Sequence, residues 1–238
     1  MKAKSTLLKE RRRLSVASKK RGKNRATPRL PHAIRRAQIL SQAAEFFAEF
    51  GLTAQTRALA AVCGISQRLL YRFFPNKSAL IEEIYKTEIA GPFKAVWFAE
   101  LCNRSTPIEE RLSNFYREYY DQVLTQRWLR LFLYASLADI RMAPAYSSTI
   151  VTHTIEVIVQ ESAHELGLAL PQEKALCHEL GWALHGAISH LAIRRRIYSN
   201  INPSQVTAVI PMYVRVFLAG LQGTLAPISR QAGPHIVA

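Results

Sequence analysis

Apolar side chains at Ile34, Ala37, Leu40, Ala44 and Phe47 recur every three to four residues. That is the period of one buried helix face, and it predicts a helix over 33–50 that Gly51 stops. A short helix follows, from Thr56 to about Val62. Gly64 then turns the chain at little backbone cost, Ile65 is an apolar anchor, and Ser66 is an N-cap for a second helix running from Gln67 to about Phe74. Pro75 ends that helix, and Asn76 caps a third that begins at Lys77. Two short helices joined by a glycine turn form a helix-turn-helix, the motif whose second helix enters the DNA major groove.

The same periodicity continues downstream. One long helix is expected from Lys77 through Ile89, broken at Gly91-Pro92 and resumed over 93–101. Thr106-Pro107-Ile108-Glu109 reads as a capping box opening a helix to about Leu124. Further helices are expected over 128–140, ending near Pro144, and over 147–166, ending at Gly167. Pro171 opens another to about Tyr198, and Pro203 opens the last, reaching Leu221 with a kink at Pro211. No segment alternates with period two, so the predicted fold is all-α. A three-helix, homeodomain-like head over 32–80 precedes a larger helical domain over 81–238, and a disordered basic arm over 1–31 precedes both.

Charge places a partner at one end. Residues 1–31 hold twelve Lys and Arg against Glu10, or +11. Residues 32–80 carry +4, and residues 81–238 carry zero, so the whole excess of +15 lies before residue 81. A polyanion is implied there and nowhere else. The three cysteines, Cys63, Cys102 and Cys177, are too scattered for a zinc site or a disulfide framework, which suits a reducing, cytoplasmic compartment. No signal peptide and no apolar run of membrane-spanning length is read, so no membrane partner is expected.

Three runs in register carry a resemblance: Ala43-Ala44-x-x-Phe47-x-x-x-Gly51, Leu59-Ala60-x-x-x-Gly64-Ile65-Ser66, and Leu70-Tyr71-x-x-Phe74-x-Asn76-Lys77-x-x-Leu80. Over Ile34–Leu80 the chain resembles the N-terminal domain of the TetR family of bacterial transcriptional regulators. It departs from the pattern at Arg68-Leu69, where the family often has a small pair. The resemblance implies a homodimer paired through helices near 171–198 and 203–221, a palindromic double-stranded operator, and a small, largely apolar effector.

The candidate DNA-binding residues are Arg57, Ser66, Gln67, Arg68, Tyr71, Arg72 and Lys77. Arg68 can reach guanine bidentately or meet a phosphate, and Gln67 suits adenine. Arg57, Tyr71 and Arg72 are placed for phosphates. Lys77, at a helix N-terminus, combines its ammonium with free N–H groups as a phosphate clamp, and the resemblance implies phosphate contacts for both Tyr71 and Lys77. For the effector, Tyr120, Trp128, Tyr134 and His153 are the expected lining, since buried aromatic N–H and O–H groups need partners that a ligand can supply. The small residues Gly181, Ala183, Gly186, Ala187, Ala219 and Gly220 suit either a dimer face or packing within one subunit. No nucleophile–base pair, phosphate loop or metal-ligand set is present in the sequence, so neither an enzyme nor a cofactor or metal is expected. The reading is a ligand-released repressor. The alternative is an activator, or a ligand-independent architectural protein that uses the arm.

Overall fold

The computed structural model describes residues 31–138, 146–198 and 205–231. The arm read over 1–31 (Pro31 excepted), the helix end near Pro144 and the start at Pro203 lie outside them. Ten α-helices and no strand occur among the described residues: α1 His32–Phe50, α2 Thr56–Val62, α3 Gln67–Phe73, α4 Lys77–Ile84, α5 Val96–Leu101, α6 Ile108–Gln122, α7 Gln126–Leu137, α8 Thr152–Leu166, α9 Lys174–Arg196 and α10 Val206–Gln231. Met1–Arg35 forms one unit, of which only the opening of α1 is described, and everything from Arg36 onward is a second unit.

Local signals set the ends of the first helices. Gly64 has φ 65°, a left-handed conformation that costs glycine least. The Ser66 hydroxyl accepts from Leu69 N–H at 3.1 Å, and Asn76 Oδ1 accepts from Ala79 N–H at 2.8 Å, each meeting a donor that the helix cannot satisfy itself. Leu59, Leu70, Phe47, Phe74 and Leu80 close beneath these turns as a dry core.

Beyond Leu80 the structure corrects several boundaries. The helix from Lys77 does not run on as one α-helix to Ile89. It ends at Ile84 and widens into a π-helical turn, Tyr85–Ala90, with the Ile89 carbonyl accepting from Trp128 Nε1 at 3.1 Å. The expected capping box at α6 is not formed. Pro107 is the N-cap, without a side-chain bond, and Ile108 N–H donates instead to the Glu165 carboxylate of α8 at 2.8 and 2.9 Å. Helix α10 continues through Pro211 and past Leu221 to Gln231. Read without a break, Val206–Ala226 is, by length and composition, apolar enough to cross a membrane, which the sequence reading did not anticipate. Only 28% of its apolar window is buried, and Arg215 within it pairs with Glu109 of α6 at 3.3 Å.

In the helical body, α9 lies against α8 at its small residue. A Cβ on Gly181 would fall 2.1 Å from Ile155 Cγ2, so only glycine permits this approach. A buried ionic knot ties α6 to α8. Arg111, its side chain 2% exposed, donates to Glu161 at 3.1 Å, to Glu165 at 2.7 Å and to the Leu101 carbonyl. Arg104 completes it on Glu161 at 2.9 Å, and this guanidinium, with that of Arg111, holds the Glu161 carboxyl below its ordinary pKa against the effect of burial.

Candidate nucleic-acid interface

Helices α2 and α3 present the polar face of the head. The seven expected residues divide into two groups there. Arg57, Arg68 and Arg72 are exposed, and among the described residues no hydrogen bond or ion pair engages their guanidiniums. The other four are already partly engaged. Gln67 Nε2 donates to Thr56 Oγ1 at 3.1 Å, and the Tyr71 hydroxyl lies 2.8 Å from the same oxygen. Hydrogen bonding of the Tyr71 oxygen with Thr56 first, and then with Gln67, holds the phenol below its ordinary pKa. Thr56 thus clips the first turn of α3 to the start of α2, and the two helices are set as a pair before any contact is made. Ser66 spends its hydroxyl on the cap.

Lys77 departs furthest from expectation. Its ammonium donates to the Ala54 carbonyl at 2.8 Å and lies 5.6 Å from the centre of the Phe47 ring. Burial lowers its pKa. Its direct role here is to fix the loop before α2. No sequence signal marks this inward turn, because Phe47 and Ala54 meet Lys77 only in the folded head. Sequence reasoning also passed over Thr56, a short polar side chain at a helix start that, read locally, is only a helix opener.

The four residues expected to line an effector cavity are not brought together. Trp128 is buried, stacked on Phe132 at 4.7 Å, with its N–H used on Ile89. Tyr120 is buried beneath the Arg196 guanidinium at 4.1 Å, while Tyr134 packs its ring over Gly51. His153 is a surface side chain, 59% exposed, 3.8 Å from Glu156 and 4.6 Å from the Phe98 ring centre. Of the four, Trp128 meets the buried polar aromatic cluster, through Tyr146 at 5.2 Å between ring centres. Tyr119 and Tyr146 hydroxyls are 3.3 Å apart, Tyr116 OH is 3.5 Å from His185 Nδ1, and burial raises all three phenols.

A second surface feature runs along α9 and α10. A groove of about 490 Å³ is lined by Ala183, Ala187 and His190 on one side and by Val216, Phe217 and Gly220 on the other, among others. Met212, Val216, Ala219, Gly220 and Gly223 are exposed at helical spacing. A Cβ on Gly186, Gly220 or Gly223 would touch nothing. The small residues therefore divide: Gly181 packs inward and the others face out.

A clipped helix-turn-helix with unengaged arginines on one face, ahead of a larger helical body, defines a helix-turn-helix transcriptional regulator. Residues 39–84 match the sequence profile of the bacterial regulatory proteins of the tetR family. The head is thus a DNA-binding domain of the tetR-family kind, and the chain is a DNA-binding transcriptional regulator. The fold is that of a TetR-like regulator from Rhodococcus sp. RHA1, which is 22% identical with a TM-score of 0.62 over 81% of this chain and 100% of that one. AmtR from Mycobacterium smegmatis is 21% identical, TM-score 0.58, over 87% and 98% of the two chains. The fatty acid degradation regulator FadR from Bacillus halodurans is 15% identical, TM-score 0.59, over 84% and 99%. No curated protein matches the sequence.

Proposed function

We propose that this protein is a homodimeric repressor of a palindromic operator, released by a small, largely apolar ligand. The observation that carries the reading is the set of three exposed arginines, Arg57, Arg68 and Arg72, on a helix pair pre-set by Thr56. In the proposed complex Arg68 reads a base edge or a phosphate from the start of α3. Arg57 and Arg72 hold phosphates, and Gln67, Tyr71 and Lys77 fix the frame, with their outer polar atoms free for the backbone. The outward small residues and the exposed apolar stripe of α10 support a two-fold interface across α9 and α10, which would give two recognition helices for one palindrome.

Release by ligand is supported by the path from the aromatic core to the head. Tyr119 meets Tyr146, Tyr146 lies 5.2 Å from Trp128, and Trp128 holds the π-helical turn at the end of α4. A ligand that prefers a different arrangement of that core lowers operator affinity by linkage. The test is footprinting on DNA upstream of the protein's own gene, with light scattering for the dimer and native mass spectrometry for a co-purifying small molecule. Protection of a two-fold site by a dimer supports the reading. No protected sequence, there or in a genome-wide pull-down, refutes it.

A further inference from the structure

Residues 32–80 contain two carboxylates, Glu45 and Glu49, in a segment otherwise made basic by six Lys and Arg. They lie one turn apart on α1, and both are taken by arginines of a single later helix, α7. Arg127 Nη1 reaches Glu45 at 3.5 Å, and Arg130 Nη1 pairs with Glu49. Arg127 extends its second nitrogen to Glu88, in the π-helical turn, at 2.9 Å. Next to these pairs Tyr134 lies over Gly51, 3.8 Å from where its Cβ would be, and Trp128 donates to Ile89. One face of α7 thus grips both the head's first helix and the turn that joins the head to the body.

We propose that Arg127 and Arg130 are positioning residues for DNA recognition: they set the angle of the head on the body, and so the half-site spacing a dimer accepts. The inference rests on the dimeric-operator reading above. Exposed ion pairs contribute little to stability and are screened by salt, so these do not hold the fold together. Where two settings of the head lie close in free energy, a bias of that size shifts their ratio severalfold. Pairing also neutralises the two acids that would otherwise oppose a phosphate backbone.

The experiment uses the full chain. A two-fold site is first selected from random duplex DNA with the wild-type protein. Affinities are then measured for a single half-site and for full sites with spacers lengthened or shortened by one and two base pairs. In Arg127→Ala/Arg130→Ala, half-site affinity is expected to stay within about twofold, while the preference for the best spacer over its neighbours falls severalfold. The exchange Glu49→Arg/Arg130→Glu restores the preference that Arg130→Glu alone removes, and thermal melting shows that each variant is folded. An unchanged spacer profile, or a half-site affinity that falls as far as the full-site affinity, overturns the proposal. If the wild type selects no two-fold site, the operator reading fails, and this inference fails with it.

Discussion

His185 is 3% exposed in α9, with ring contacts to Tyr116 and Tyr119 of α6 and to Trp182, and no carboxylate among the described residues pairs with it. Burial pulls its pKa down to about 4, because the imidazolium would lose its water and gain no counter-charge. An unfolded histidine takes its proton near 6.5, so between pH 6.5 and 4 the unfolded chain binds more protons than the native one. Stability from this group is therefore complete above about pH 6.5 and is lost as the pH falls toward 4, at about 1.4 kcal/mol per unit. Over the window that amounts to about 3 kcal/mol, a large part of a typical 5–15 kcal/mol domain stability. The assay is urea denaturation at half-unit steps from pH 7.5 to 4.5, comparing wild type with His185→Leu. The substitution changes packing by an amount independent of pH, but it should flatten the slope because the unfolded variant no longer takes up that proton. Parallel profiles for the two proteins would refute the argument that a neutral, desolvated imidazole sits in this core.

Other expected outcomes follow from single contacts. Gly181→Ala places a methyl group against Ile155 and should cost about 1–3 kcal/mol in chemical denaturation, whereas Gly186→Ala should not destabilise the protomer. Glu165→Gln weakens both the Arg111 pair and the cap on Ile108 N–H, and should lower stability by about 1.5–3 kcal/mol in the same assay. Gly220→Trp adds bulk on the face proposed for the two-fold interface, and should shift the proposed dimer to monomer in light scattering without lowering helix content.

The head was legible from sequence because its signals are local. Ser66, Asn76 and Gly64 each act within four residues of the bond or turn they make, and the structure places each where pattern alone puts it. What was not legible depends on residues distant along the chain. Lys77 turns inward because Ala54 and Phe47 are folded around it, and α6 is capped by Glu165 from 57 residues away. The π-helical turn at Tyr85–Ala90 has no composition of its own; it is met by Trp128, which a local reading takes for a pocket residue. The small residues of α9 look alike in sequence, and only the packing of Ile155 separates Gly181 from Gly186.

The most direct test of the central claim is the salt dependence of DNA binding, measured by fluorescence anisotropy for wild type and for Arg57→Ala, Arg68→Ala and Arg72→Ala. Each phosphate neutralised contributes about 0.9 to the slope of log K against log salt, so a phosphate contact made twice in the proposed dimer contributes about 1.8. The account predicts that Arg57→Ala and Arg72→Ala each reduce the slope by about that amount and weaken all sequences equally. Arg68→Ala either does the same or relaxes the preference at one base pair by about 1–3 kcal/mol. A triple variant that binds the selected site with wild-type affinity and slope would contradict it.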